Sequence, residues 1–108
     1  TSTPVGDVSE CRALKAVLGP EAARVAVSST KALTGHGLSL AGAMEAAFCA
    51  LAIRRGFIPG SAHIQNLDTA AEGLRIPRET LAAAPRAVLS NSSGFGGGNV
   101  SLALGRAA

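Results

Sequence analysis

Two stretches of the chain have the apolar periodicity of α-helices. In the first, Asp7–Leu18, apolar residues recur at spacings of three and four, which is the period of one helix face. Asp7 is predicted to cap this helix, and Glu10 three residues later completes a capping-box pattern. Gly19 and Pro20 are expected to end it. The pattern therefore predicts a short amphipathic helix near the start of the sequence.

The second stretch, Ser39–Arg55, is apolar nearly all round, which is typical of a helix that is buried on most sides. Gly42 within it would allow another backbone to approach closely. Arg54 and Arg55 suit the negative end of the helix dipole, and Gly56 suits the left-handed residue that often follows a helix. We therefore expect this helix to be central.

Three short apolar segments predict strands: Arg24–Ser28, Arg86–Ser90 and Val100–Leu104. The glycine-rich stretch Asn91–Asn99 joins the last two, so these are predicted to form a hairpin. Two helices beside three short strands indicate an α/β fold in which helices pack on a small mixed sheet. Such a sheet leaves one side uncovered, and we expect the chain to need a partner.

The segments between these elements are predicted to be irregular. Ser29–Gly37 is a polar loop, and Phe57–Pro85 is interrupted by prolines and glycines. One helical turn is expected near Arg78–Ala83. The chain has no internal repeat or linker, so its 108 residues form one domain or part of one.

Composition and charge narrow the possible functions. Hydrophobic residues make up 47% of the chain and charged residues 16%, which excludes a disordered protein. The net charge of +3 is scattered, without a basic run or interleaved aromatics, so no nucleic-acid binding is expected. The apolar run Leu38–Ile53 is too short to span a membrane, so no membrane association is expected either. Cys11 and Cys49 lie on apolar helix faces and fit a reduced, cytoplasmic protein.

A lysine and a histidine stand five residues apart at the entrance to the second helix. His36 lies between two glycines, so a substrate can reach its imidazole, which can give or take a proton near neutral pH. Lys31 would be partly desolvated at the foot of the apolar helix, where Asp7 and Glu10 could partner its charge. A purely structural role stays open for all four, because a loop histidine can bond to backbone and acids can cap a helix.

The glycine run Asn91–Asn99 carries one bulky residue, Phe95. It is not a phosphate-binding loop, because no Lys-Ser or Lys-Thr follows, and it lacks the third glycine of the dinucleotide fingerprint. It is either a flexible hairpin turn or a segment that presents backbone N–H groups to a ligand while Phe95 gates access. Thr1, Ser2 and Thr3 add hydroxyl groups that suit an amide-rich ligand.

Together, the segments TSTPVGD, SSTKALTGHGLSLAGAMEA and NSSGFGGGN resemble, in order and approximate spacing, the C-terminal part of the β-ketoacyl-acyl-carrier-protein synthases. These are condensing enzymes of the thiolase superfamily. The resemblance implies the thiolase fold, a layered α/β sandwich normally found in a homodimer. Residues 1–108 would be its C-terminal segment, without the N-terminal half.

The resemblance also implies a reaction, the decarboxylative Claisen condensation of fatty acid elongation. His36 resembles the second active-site histidine of the family, which stabilises the enolate that forms when malonyl carrier protein loses carbon dioxide. Lys31 resembles the active-site lysine, which orders the site through a charged network. Glu10 is its expected anchor, and Asp7 and Glu45 are expected to belong to the same network.

Two further groups of residues resemble ligand-binding positions of the family. Thr1 and Thr3 resemble the threonines that hydrogen-bond the phosphopantetheine arm of the acyl carrier protein. Gly94, Phe95 and Gly96 resemble the loop that supplies an oxyanion-hole N–H and gates the acyl pocket. The resemblance implies no metal and no tightly bound cofactor, since the phosphopantetheine arrives on the carrier protein.

The chain also departs from the family pattern. The nucleophilic cysteine and the first catalytic histidine are missing, so a companion chain or half is expected to supply them. Neither Cys11 nor Cys49 is expected to be the nucleophile. Ser93 and Gly98 stand where the family commonly has phenylalanine and threonine, which leaves the preferred acyl chain length open.

Other functions stay open at this point. Polyketide ketosynthases share the same motifs. A non-catalytic half that shapes a tunnel, as a chain-length factor does, could also carry them. The chain begins at Thr1 rather than methionine, which predicts a processed or shortened polypeptide. An N-terminal threonine activated by its own amine would make the chain an amidohydrolase subunit instead.

Overall fold

The computed structural model describes residues 1–107, which contain three α-helices and one β-hairpin. The helices are α1 (Pro4–Leu18), α2 (Lys31–Thr34) and α3 (Ala41–Arg55), and the strands are β1 (Ala87–Ser93) and β2 (Asn99–Gly105). Single 3₁₀ turns lie at Gly19–Glu21, Leu38–Leu40 and Thr69–Ala71. The chain divides into two compact units: the first comprises residues 1–35 and 59–80, and the second residues 36–58 and 81–107.

Helix α1 of the first unit begins at Pro4, three residues earlier than predicted, because the fixed φ of proline suits a first helical position. The N-cap position is Thr3, and no side chain caps the helix. The predicted capping box of Asp7 and Glu10 is therefore wrong. Asp7 lies inside the first turn, where the positive end of the helix dipole favours a carboxylate. Gly19 follows the helix, as predicted.

The rest of the first unit is held together by small buried residues and by single backbone contacts. Its buried apolar residues are Ala22, Ala71 and Leu74. The predicted strand Arg24–Ser28 does not form, and only Ala26 pairs, in a parallel bridge with Arg75. A strand requires a neighbouring strand for its hydrogen-bond ladder. Within residues 1–107, this segment forms a bridge at one residue only.

The predicted loops differ from the structure in two places. Helix α2 forms one helical turn within the segment 29–37, which was expected to be irregular. No helical turn forms at Arg78–Ala83; the turn lies instead at Thr69–Ala71. There the side chain of Asp68 accepts the Ala70 N–H at 2.8 Å, which satisfies a backbone donor that has no partner within the turn.

The second unit contains the predicted hairpin. Strands β1 and β2 are antiparallel, with Ala87 opposite Gly105 and Ser93 opposite Asn99. Alternate residues of β1 are half-buried and exposed, which is the pattern of a strand covered on one face. The sheet has two strands in a purely antiparallel pair, rather than the three predicted.

Helix α3 packs on β1 in the second unit. Ala41 and Ala52 are its buried residues, whereas its other side chains are half-buried or exposed, so the helix is less enclosed than its composition predicts. Gly42 lies close to the hairpin, since an added Cβ would be 3.4 Å from the Ser92 Oγ. Gly56 has φ 73° and ψ 52°, and the predicted left-handed helix end is confirmed.

Several large apolar side chains remain exposed. On α1, Val5 is 84% and Val17 82% exposed, and on the hairpin Leu89 is 57% and Val100 66% exposed. None of the helices in residues 1–107 is long and apolar enough to cross a membrane.

Replacing Gly60 with alanine is expected to destabilise the first unit. The new Cβ would lie 2.5 Å from the carbonyl carbon and 2.6 Å from the Cα of Glu79. Backbone atoms cannot move aside as a flexible side chain can, so we expect a loss of about 1–3 kcal/mol. Denaturant unfolding measures the change. Gly98→Ala is the matched control, because a Cβ there meets no atom within 4 Å; equal stability of the two variants would contradict the prediction.

Candidate active site

His36 lies on the exposed segment that leads from α2 to α3. Its Nδ1 accepts a hydrogen bond from the Leu38 backbone N–H at 3.0 Å. Leu38 has φ 51°, a left-handed conformation that is costly for leucine. The backbone at Gly37, with φ −74° and ψ 8°, places the Leu38 N–H against the imidazole, and the hydrogen bond fixes the orientation of the ring.

This hydrogen bond also determines which imidazole nitrogen carries the proton. A neutral imidazole has one donor and one acceptor nitrogen. Because Nδ1 accepts the Leu38 N–H, the hydrogen of the neutral ring lies on Nε2. His36 therefore presents an oriented N–H donor on the side of the ring away from its own backbone.

The glycine run forms the tight connection between β1 and β2. The Gly94 N–H donates to the Gly98 carbonyl at 2.7 Å, and the Gly97 N–H donates to the Gly94 carbonyl at 3.3 Å. Gly96 and Gly97 have φ 84° and 87°, which only glycine adopts without strain. Phe95 projects from this turn with its side chain fully exposed.

The backbone N–H of Phe95 is available to a ligand. It makes no hydrogen bond within residues 1–107, because the hydrogen bonds that close the turn are donated by Gly94 and Gly97. An unpaired N–H at a glycine-rich turn is a donor that can stabilise an oxyanion. The turn therefore presents a bulky side chain and a backbone N–H, and their roles in gating and in oxyanion stabilisation stay predictions.

The two threonines at the start of the chain lie together. Their Oγ1 atoms are 3.2 Å apart, and the Thr1 amine is 3.5 Å from Asp7 Oδ1. Both hydroxyls lie over Gly6, where an added Cβ would be 2.5 Å from the Thr3 Oγ1 and 3.0 Å from the Thr1 Oγ1. Gly6 was not identified from the sequence, although it lies three residues after Thr3 in the segment TSTPVGD.

Lys31 is the first residue of α2 and is half-buried. Its backbone N–H donates to the Ser29 Oγ at 3.4 Å, and its carbonyl accepts the Gly35 N–H at 2.9 Å. Glu10 is exposed on α1, and Glu45 is half-buried on α3. The backbone that carries Lys31 is thus fixed on both sides, while the charged network around its side chain stays a prediction.

The predicted site residues are divided between the two units. The first unit carries Thr1, Thr3, Asp7, Glu10 and Lys31, and the second carries His36, Glu45, Gly94, Phe95 and Gly96. The contacts described above join Thr1 to Thr3 and to Asp7. A single site formed by all ten residues remains a prediction.

Neither cysteine has the environment of a nucleophile. Burial raises the pKa of the Cys11 thiol, and nearby Lys15 only partly offsets this effect. Burial also raises the pKa of Cys49, although a hydrogen bond with Ser90 acts in the opposite direction. A raised pKa reduces the thiolate fraction, and the thiolate is the reactive form. Residues 1–107 also contain no cluster of three His, Cys, Asp or Glu that could hold a metal.

Comparison with known proteins relates these features to a family. Residues 1–65 match the family model for the beta-ketoacyl synthase C-terminal domain. The chain belongs to the β-ketoacyl synthase family. It is 47% identical over 104 residues to 3-oxoacyl-[acyl-carrier-protein] synthase 1 of Escherichia coli K12, a match of 96% of this chain and 25% of the relative. Against the synthase 1 of Haemophilus influenzae it is 50% identical over 107 residues, 98% of this chain and 26% of that protein.

A solved structure supports the same assignment. The β-ketoacyl synthase segment superposes on one chain of a solved complex with a TM-score of 0.91 and 29% identity. That complex is described as a type II PKS acyl-carrier protein with its ketosynthase, bound to the hexaketide. The match covers 98% of this segment and 26% of that chain. The family and the fold predicted from the sequence are therefore confirmed. The segment spans about a quarter of the length of its relatives.

Proposed function

We propose that the complete protein containing this segment is a 3-oxoacyl-[acyl-carrier-protein] synthase of fatty acid elongation. The relatives that match nearly all of the segment at 47–50% identity carry that name. The observation that carries the proposal is the His36 imidazole, whose Nδ1 accepts the Leu38 N–H and whose Nε2–H is thereby left to donate. An oriented donor is what decarboxylation of a malonyl thioester requires.

The proposed reaction begins with an acyl group held as a thioester on a cysteine of the N-terminal half. Malonyl carrier protein binds, its C–C bond to the carboxylate breaks, and carbon dioxide leaves. The electron pair of that bond passes into the thioester as an enolate, and Nε2–H of His36 stabilises the negative oxygen. The enolate carbon then attacks the cysteine-bound acyl carbonyl. The cysteine thiolate leaves, which gives a β-ketoacyl thioester two carbons longer on the carrier protein.

The remaining residues of the segment have supporting roles in this proposal. The Phe95 N–H stabilises the oxyanion that forms on the acyl carbonyl, and the Phe95 ring gates the acyl pocket. Thr1 and Thr3 hydrogen-bond the amide groups of the phosphopantetheine arm, which is the prosthetic group of the carrier protein. Lys31 orders the site through a network with Glu10, Asp7 and Glu45.

The segment acts together with an N-terminal half and with an acyl carrier protein. An N-terminal half or companion chain supplies the nucleophilic cysteine, the first histidine and the cover for the exposed apolar side chains of α1 and the hairpin. An acyl carrier protein delivers both substrates, and the complete enzyme is a homodimer. Free, half-buried Cys11 and Cys49 fit the reducing environment of the cytoplasm.

A condensation assay tests this function. The complete protein is supplied with an acyl carrier protein carrying a short acyl group and with malonyl carrier protein. We expect release of carbon dioxide and a 3-oxoacyl product two carbons longer, identified by mass spectrometry. Repeated extension without reduction of the ketone would indicate a polyketide ketosynthase instead. Acyl binding without any decarboxylation would contradict the proposal and favour a non-catalytic half that shapes a tunnel.

Family membership favours the synthase over the amidohydrolase considered from the sequence. An amidohydrolase would need Thr1 as a nucleophile activated by its own amine. The Thr1 hydroxyl faces the Thr3 hydroxyl over Gly6. Both hydroxyls are better explained as hydrogen-bonding groups for an extended ligand.

A further inference from the structure

Ser61 is the one buried polar side chain in the described part of the chain, with 7% of its surface exposed. It lies in the first unit and makes hydrogen bonds on two sides. Its Oγ accepts the Ser29 backbone N–H at 3.1 Å, and its own N–H donates to the Pro77 carbonyl at 2.8 Å. A buried serine placed this way serves as an anchor for the backbone of a distant segment.

The anchored segment leads directly to Lys31. The Ser29 Oγ accepts the Lys31 backbone N–H at 3.4 Å. Two successive hydrogen bonds, from Ser29 to Ser61 and from Lys31 to Ser29, therefore connect the buried hydroxyl to the first residue of α2. The first and shorter bond holds the Ser29 backbone against Ser61, and the second, longer bond joins the Ser29 side chain to the Lys31 N–H.

We propose that Ser61 is a positioning residue that fixes Lys31 through Ser29. This inference rests on the proposed function, in which Lys31 orders the active site. Without the Ser61 hydroxyl, the Ser29 N–H would lose its acceptor, and the backbone would shift to find another one. A displacement of about 1 Å at a positioning group can lower a rate by about 10²-fold. Ser61 touches no reacting atom and acts only through Lys31.

The test compares three variants of the complete synthase. Ser61→Ala removes the acceptor, Ser61→Thr restores a hydroxyl, and Thr80→Val is the matched control. Thr80 Oγ1 accepts the Gly60 N–H at 3.4 Å, so the control removes a similar anchor one residue away that does not lead to Lys31. We expect Ser61→Ala to lower kcat for malonyl decarboxylation about 10- to 100-fold, with KM nearly unchanged. Ser61→Thr should recover most of the rate, and Thr80→Val should keep it.

A second variant covers the case in which Ser61→Ala does not fold. Ser29 is exposed, and Ser29→Ala breaks the second hydrogen bond without disturbing buried structure. Its kcat should also fall, by a smaller factor. Hydrogen exchange adds a direct measurement: the Ser29 amide should lose protection in Ser61→Ala and keep it in Thr80→Val.

A double-mutant cycle with Lys31→Ala decides whether Ser61 acts through the lysine. We expect Ser61→Ala to have no further effect on kcat when Lys31 is already alanine. Additive losses, or equal losses in Thr80→Val, would overturn the inference. If Lys31→Ala is inactive but Ser61→Ala is fully active, the inference fails and the proposed function stands. If Lys31→Ala retains full decarboxylation, the proposed role of Lys31 fails, and the inference fails with it.

Discussion

Replacing His36 with alanine in the complete synthase is expected to lower malonyl decarboxylation and condensation by about 10²–10³-fold. The physical reason is the negative charge that appears on the malonyl thioester oxygen as carbon dioxide leaves. The Nε2–H of His36 is oriented before the reaction by the bond between Nδ1 and the Leu38 N–H. Acyl transfer to the cysteine forms no enolate, so its rate should be largely retained.

Two amide variants separate the donor from the structural hydrogen bond. Asparagine at position 36 can accept the Leu38 N–H in place of Nδ1, but it offers no donor in place of Nε2. Glutamine places an amide N–H closer to the position of Nε2. We expect His36→Asn to be as inactive as His36→Ala, and His36→Gln to retain part of the rate.

His63→Asn is the matched control for the loss of a histidine. His63 is exposed and has φ 64°, a conformation that asparagine tolerates. We expect this variant to retain full activity. Carbon dioxide release and product formation measure the effect, and mass spectrometry of the protein measures acyl transfer. An unchanged condensation rate in His36→Ala would favour the non-catalytic interpretation of the segment.

Replacing Lys31 with alanine is expected to lower malonyl decarboxylation by about 10²-fold. Lys31 is proposed to hold the site in order, so its loss should lower kcat and change KM for malonyl carrier protein much less. Arginine keeps the charge but has a different shape and hydrogen-bonding geometry, and Lys31→Arg should recover only part of the rate.

Lys15→Ala is the matched control for the loss of a lysine. Lys15 is half-buried in the last turn of α1, as Lys31 is half-buried at the start of α2. The control should retain its activity and lose only a small amount of stability. Steady-state kinetics of malonyl decarboxylation, measured for Lys31→Ala and Lys15→Ala, compare the two losses. Equal losses in the two would show that removal of a positive charge, rather than the position of Lys31, accounts for the effect.

The elements predicted correctly are those whose stability is local. Helix α3 ends at Arg55, just before Gly56, as expected, and the hairpin forms around the glycine turn. In both cases, the residues that decide the geometry are adjacent in sequence. The start of α1 was predicted wrongly because Asp7 has the side chain of a cap, while Pro4 has the backbone of a first helical residue. The sequence contained both signals, and the proline decided the boundary.

The elements predicted wrongly depend on distant partners. The apolar pattern of Arg24–Ser28 is that of a strand, but it finds only one bridge, to Arg75. On the hairpin, Leu89 and Val100 are likewise exposed. Hydrophobic periodicity predicts which face of an element is buried. It does not predict which other segment packs against that face.

For the candidate site, the sequence indicated individual residues but not the contacts between them. His36, Lys31 and Phe95 were proposed from the sequence because unusual residue types stand in specific motifs, and their roles stay predictions. The sequence did not predict the bond that orients His36, because it depends on the backbone conformation at Gly37. Nor did it predict Ser61, a common residue in an irregular segment, because its proposed role comes from a contact with Ser29, 32 positions away.

The most direct test of the proposal is an experimental structure of the complete enzyme with an acyl group trapped on its cysteine. The proposal predicts that the acyl carbonyl oxygen lies about 2.7–3.1 Å from the Phe95 N–H. It further predicts that Nε2 of His36 faces the same cavity, where the malonyl thioester oxygen would lie. If His36 and Phe95 open onto different surfaces, or if the acyl group is on Cys11 or Cys49, the proposed chemistry is wrong.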